Sequence, residues 1–155
     1  MTELNDRPQV RIHPPVLTLI YVAAAFLLNW LIPFRGVIPQ PVTWLGILLV
    51  LIGLAFALLA VNQFRTARTT LDPHGSVSAI VMQGPYRFSR NPIYLGFVCM
   101  LIGLPLAFGS YWGAVLSPVF VLLMNTLVIQ HEEFYLEKKF GETYADYKSR
   151  VRRWL

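Results

Sequence analysis

Residues 42–61 read VTWLGILLVLIGLAFALLAV, twenty residues without a charge. As a helix this stretch is about 30 Å long, which matches the hydrocarbon thickness of a bilayer. It reads as a membrane span, and its neighbours fall into place around it. Upstream, Val16 to Ile32 is apolar except for Thr18, Tyr21 and Asn29, and Pro33 stops it. No small-residue cleavage site follows at the right distance, so this is expected to be a first membrane helix rather than a secretion signal. Downstream, 92–108 and 111–129 are also free of charge. Gly109 and Ser110 leave room between them only for a tight turn, so the two should form an antiparallel hairpin. The third segment is short and contains Pro105, which leaves a kink, an early stop or a re-entrant course open. The expected fold is all-α, a single polytopic membrane bundle over residues 1–155. It has about four transmembrane helices (16–32, 42–61, 92–108, 111–129), a cytoplasmic loop 62–91 and a cytoplasmic amphipathic tail 131–155.

The composition agrees. Hydrophobic residues make up 55% and charged residues 14%, against about 25% charged in an average soluble domain. Mean hydropathy is +0.54. A disordered chain and an ordinary soluble globule are both excluded. The single Cys99 rules out an intrachain disulfide or a four-cysteine zinc site. Of the 13 Lys and Arg residues, 12 fall in 1–15, 62–91 and 131–155, and only Arg35 falls between the first two spans. Basic loops stay in the cytoplasm, so both termini and the middle loop are expected there, in a bacterial inner membrane. The net charge of +5 then needs no nucleic-acid partner.

The chemistry is expected on that cytoplasmic side. The loop 62–91 is long for a connector, and Val77, Ile80, Val81, Tyr86 and Phe88 are apolar enough to pack down. It runs into Arg87-Phe88-Ser89-Arg90-Asn91-Pro92-Ile93-Tyr94-Leu95-Gly96. Asn91 is a good N-cap and Pro92 a good first helical residue. A helix N-terminus flanked by Arg87 and Arg90 at the membrane surface can hold an anion, or can simply be a capped helix with two topology arginines. Gly96 can admit a ligand or a neighbouring helix.

In the tail, Leu136, Phe140, Tyr144, Tyr147, Val151 and Trp154 form a stripe at helical spacing, and Gly141 marks a bend. Extended back, the stripe reaches Glu133, with Glu132 pointing elsewhere. A carboxylate there needs a cation: Arg87, Arg90, a ligand ammonium, or a structural arginine bridge that pins the tail. No metal is expected, because His13, His74 and His131 are scattered and H-E-E-F-Y lacks a second histidine.

Two motifs carry a resemblance. G-P-Y-R-F-S-R-N-P-I-Y-L-G at 84–96 resembles the cofactor-binding signature of the isoprenylcysteine carboxyl methyltransferase and phospholipid methyltransferase superfamily. E-E-F-Y-L-E-K-K-F-G-E-T-Y-A-D-Y-K-S-R-V-R-R-W at 132–154 is similar to the C-terminal signature of the same group. The resemblance implies an integral membrane enzyme that moves a methyl group from S-adenosylmethionine, leaving S-adenosylhomocysteine, to a membrane lipid or small hydrophobic acceptor. It implies cofactor contacts at Gln83, Gly84, Pro85, Tyr86, Arg87, Arg90, Asn91, Tyr94, Gly96, Glu132 and Glu133. Catalytic duty would fall on Glu133, Arg90, His131 and Arg153, with Arg150 also near the site. Asn91 stands where the prenyl-cysteine enzymes typically carry histidine, so it cannot take a proton there. A membrane reductase using NADPH, or a non-enzymatic scaffold that keeps the fold, are the competing expectations.

Overall fold

The computed structural model describes residues 10, 12–34, 38–67 and 77–155. Arg35 and His74 lie outside them. Helix α1 (Pro14–Leu31) opens on two prolines, whose fixed φ suits a first turn, and ends just ahead of Pro33. Helix α2 (Gln40–Thr66) has 27 residues, about 40 Å. It runs five residues past the expected end at Val61. Loss of hydropathy marks where lipid stops, and nothing in Asn62–Thr66 stops a helix. Helix α3 (Pro92–Ala107) has 16 residues and carries Pro105 in its last turn. Gly109, at φ +80°, makes the tight turn into helix α4 (Trp112–Met124).

Helix α4 does not stop at the membrane surface. A π-helical turn, Asn125–Ile129, joins it to α5 (Gln130–Phe140). Together they make one apolar-to-polar rod of 29 residues, Trp112–Phe140. Gly141, at φ +51° and ψ −123°, breaks the tail there, so the expected single amphipathic helix becomes α5 and α6 (Glu142–Arg150). Three helical stretches, Pro14–Leu31, Gln40–Thr66 and Trp112–Phe140, are long and apolar enough to cross a membrane, and α3 is a shorter apolar helix. The fold is a helical membrane bundle, with no strand among the described residues.

The bundle is built for lipid outside and close contact inside. Leu19, Leu27 and Trp30 of α1 and Leu48, Leu51 and Leu58 of α2 face outward. The residues α2 buries are Gly46, Gly53 and Ala60, seven apart on one face. A Cβ on Gly46 would stand 2.8 Å from the carbonyl oxygen of Gly103, and one on Gly53 2.8 Å from that of Gly96. Two antiparallel glycine pairs thus seat α2 against α3, backbone on backbone. The glycines therefore mark a contact within the chain, and Gly96 is spent on it. Leu17, Leu101, Phe120 and Met124 fill the core among α1, α3 and α4, with Tyr21 set edge-on to Phe120 at 5.4 Å between ring centres. At one end of the bundle Phe34 meets Tyr111 and Trp112, an aromatic group suited to a membrane interface. At the other end all the polar elements gather.

Candidate functional site

At that polar end the last turn of α2, residues 77–81, the 3₁₀ turn Gly84–Arg87, the start of α3, and helices α5 and α6 enclose a cavity of about 130 Å³. Its polar lining comes from Arg90 and Asn91, from Tyr94 in the first turn of α3, and from Glu132 and Glu133 in the first turn of α5. Phe64, Tyr86, Tyr135, Tyr144 and Tyr147 supply most of the aromatic wall, and Ile80, Val81, Ile93 and Leu136 the aliphatic part. Ala60, the last of the small residues on the buried face of α2, lets Val81 and Tyr86 pack beneath the site.

The two adjacent glutamates have opposite fates. Glu133 is buried and gripped twice. Arg153 donates from Nε to its Oε1 (3.1 Å) and from Nη2 to its Oε2 (2.6 Å), and Arg90 Nη2 lies 3.2 Å from Oε1. This is the bridge that pins the tail under the bundle, and it leaves Glu133 no free charge for a ligand. The Arg153 guanidinium is held above its ordinary pKa by that hydrogen bond. Glu132, expected to point away, instead lines the cavity and accepts a hydrogen bond from the Tyr94 hydroxyl at 2.6 Å. The enclosure is wide enough to span both positions, which stand about 100° apart on a helix. Burial pushes the Glu132 carboxyl up to about 7; the Tyr94 hydrogen bond opposes that rise, and the neighbouring Glu133 charge adds to it. Glu132 lies past Ile129, beyond the apolar part of its helix.

Arg90 is the second unusual group. Its side chain is 9% exposed, and one nitrogen serves Glu133. Its Nε and Nη1 are buried and have no partner among the described residues. Buried guanidinium donors are rarely left idle, and these belong to a residue that lines the cavity. A negatively charged ligand group would satisfy them. The cavity wall therefore carries a cationic side chain, Arg90, and an acidic one, Glu132, between aromatic residues. Tyr147, whose hydroxyl is pushed up to about 12 by burial, stays protonated and donates to the Tyr86 carbonyl at 2.7 Å.

Several expected residues take other places. Asn91 occupies the N-cap position without capping. Its side-chain amide donates to the Arg153 carbonyl (3.0 Å), and its own N–H goes to Ser89 Oγ (3.1 Å). Gln83, Gly84 and Pro85 build the turn that carries Tyr86 but do not line the cavity. Arg87 and Phe88 are exposed, so Phe88 does not pack down as expected. Gly96 faces Gly53. His131 is half-buried outside the lining, with Nδ1 unpartnered among the described residues. Arg150 pairs with Asp146 on the surface, whereas Arg153 reaches the site through Glu133. Among the described residues no three His, Cys, Asp or Glu side chains gather as a metal-ligand set. Tyr135, Tyr144, Tyr147 and Phe64 were not foreseen as lining. The tail stripe signalled Tyr144 and Tyr147 only as packing, and Tyr135 lies off it.

Comparison with known proteins starts from this geometry. Residues 41–143 match the sequence profile of the phospholipid methyltransferase family, two-thirds of the chain and nearly all of the lining. This chain belongs to the phospholipid methyltransferase family. Within it, 120 residues are 27% identical to a rice (Oryza sativa subsp. indica) protein named probable protein-S-isoprenylcysteine O-methyltransferase, covering 74% of this chain and 61% of that one. A fission yeast (Schizosaccharomyces pombe) protein-S-isoprenylcysteine O-methyltransferase is 29% identical over 72 residues, 46% of this chain and 30% of its own length. An uncharacterized Haemophilus influenzae protein is 42% identical over 63 residues, 41% of this chain and 100% of that protein. No solved structure matches. The family motif at 84–96 and the tail motif at 132–154 thus meet in one cavity, the first through Tyr86, Arg90, Asn91 and Tyr94, the second through Glu132, Glu133 and the tyrosines.

Proposed function

We propose that this protein is an S-adenosylmethionine-dependent methyltransferase acting on a hydrophobic, lipid-like acceptor at the cytoplasmic face of its membrane. One observation supports the reading: a single cavity is lined by an arginine with two idle, buried guanidinium nitrogens and by a half-buried carboxylate that no cation pairs with among the described residues. That pair of charges matches the zwitterionic head of an α-amino acid. Arg90 would take the carboxylate and Glu132 the ammonium. The aromatic lining favours a nearby cation such as a sulfonium. When bound, S-adenosylmethionine supplies an electrophilic methyl group.

The chain's own residues position and dry the site. Arg90 and Glu132 fix the head of the ligand, so the reacting centre needs no search. Residues 77–81 and the tyrosines of α6 exclude water from the polar end. Ile93 and Tyr94 sit in the first turn of an apolar helix, where the cavity borders the lipid-soluble part of the bundle. An acceptor dissolved in the bilayer would arrive from that side. The family relationship supports the class of chemistry, and the basic loops support a cytoplasmic orientation.

The test is calorimetric titration of S-adenosylhomocysteine into the detergent-purified protein. The expected result is saturable binding at one site per chain, weakened at least about tenfold by Arg90→Ala. Absence of binding, or wild-type binding by both Arg90→Ala and Glu132→Gln, would contradict the proposal.

A further inference from the structure

We infer that the segment after α6, Val151–Trp154, is a positioning strap for the cofactor site, with Arg153 and Trp154 as positioning residues that hold Arg90 in its ligand-ready pose. The inference rests on the cofactor reading above and goes beyond it to residues that do not line the cavity. After α6 the backbone turns extended at Val151 (φ −122°, ψ 130°) and runs back past the start of α3. Three consecutive residues there are tied to it. The Arg90 N–H donates to the Arg152 carbonyl at 3.0 Å. Asn91 Nδ2 and Ser89 Oγ both donate to the Arg153 carbonyl, at 3.0 and 3.3 Å. The far end of the strap is anchored in the bundle, where the Trp154 ring packs on the core and its Nε1 donates to Asn125 Oδ1 at 3.2 Å. Asn125 is the first residue of the π turn that leads into Glu132 and Glu133. The strap therefore ties the bend bearing Arg90, just ahead of α3, to the rod bearing the glutamates.

The side chain of Arg153 does a second job. Its fork holds both oxygens of Glu133, so Glu133 presents only the outer side of one oxygen to Arg90. Arg90 is left with a single contact and with Nε and Nη1 unspent. Without Arg153, both Glu133 oxygens would be open to Arg90. A guanidinium offered a whole carboxylate closes on it with two parallel bonds, and Arg90 would then turn from the cavity. This predicts a selective defect: the site should lose its grip on a ligand carboxylate and keep its grip on the nucleoside.

Two probes separate those outcomes. S-Adenosylhomocysteine carries the amino-acid head, whereas 5′-methylthioadenosine has the same nucleoside without it. In Arg153→Gln, affinity for the first should fall about 10- to 100-fold, with affinity for the second within about twofold of wild type. Arg153→Lys keeps the charge but not the fork, so it should recover only part of the loss. Trp154→Phe retains the packed ring and loses the anchor bond, and should show the same selective defect at smaller size, a few-fold. Equal weakening of both probes would mean a merely structural role and overturn the inference. So would unchanged binding of both by Arg153→Gln. Failure of the wild-type protein to bind either probe would instead overturn the cofactor reading itself, and this inference with it.

Discussion

The seam between α2 and α3 and the polar cap at the end of the bundle solve the same problem by opposite means. Along the seam there is no charge, and the closest contacts are made where glycines leave out a side chain. Gly46 meets Gly103, Gly53 meets Gly96, and specificity comes from how closely two backbones approach. In the cap, the same surface of α2 ends in Ala60 and Phe64, and helices are joined through guanidinium forks, carboxylates and tyrosine hydroxyls. In lipid a polar link must be completed within the protein, so a seam of small residues avoids the need. At the membrane boundary the demand relaxes. There a chain can keep one ion pair closed, at Glu133, and one carboxylate, at Glu132, that no cation matches among the described residues. The comparison separates what holds the molecule together from what it uses.

The seam should be the more brittle region. In Gly46→Val the first added carbon would stand 2.5 Å from the Ala107 backbone nitrogen, and backbone cannot swing away as a side chain can. A destabilisation of about 3 kcal/mol or more is expected, seen as loss of monodisperse protein on size exclusion in detergent. Next comes the closed ion pair. Glu133→Gln leaves the buried Arg90 without a counter-charge and should cost about 3 kcal/mol, read as a large drop in the thermal unfolding midpoint.

The adjacent substitution should act in the other direction. The Glu132 carboxyl is held near 7, above its ordinary 4.5. The folded state therefore keeps that proton where the unfolded chain releases it, and the ligand-free fold loses stability as pH rises from 4.5 to 7. Glu132→Gln removes this slope. It should make the ligand-free protein more stable at pH 8, by about 1–3 kcal/mol, while weakening the binding of S-adenosylhomocysteine. A thermal midpoint that falls in Glu132→Gln as it does in Glu133→Gln would erase the distinction drawn between the two glutamates. The smallest effect belongs to Tyr94→Phe. The lost hydrogen bond is worth about 1 kcal/mol, so binding should weaken several-fold, and its dependence on pH should shift to higher pH because that bond favours the ionised carboxylate.

Much of this was legible in the residues and some was not, for physical reasons. Spans are visible because lipid demands long uncharged runs, so Pro14–Leu31 and α3 fall close to their expected bounds, and α4 starts where expected but passes through the π turn into α5 instead of ending at residue 129. The end of α2 was misplaced because hydropathy reports the solvent and not the backbone. Gly141 was readable as a bend, and its left-handed φ shows why a glycine stands there. The meeting of the Arg90 segment with the glutamates was foreseen from the two motifs and their common side. Which glutamate stays unmatched was not, since that depends on where Arg153 returns after α6. The strap itself was invisible, because it works through the carbonyls of Arg152 and Arg153, and a backbone carbonyl leaves no trace in residue identity. Gly96 was open to two readings, ligand or helix, and only the position of Gly53 decides between them.

The central claim is that Glu132 is the cation-binding half of an amino-acid site. Its most direct test is a calorimetric titration of wild-type protein and Glu132→Gln with S-adenosylhomocysteine from pH 6 to 8.5. Wild-type affinity should climb by up to about tenfold per pH unit below 7 and level off above it, as the carboxylate ionises, while the variant binds weakly at every pH with no such rise. Binding that is independent of pH in the wild type, or equally tight in Glu132→Gln, would contradict the account.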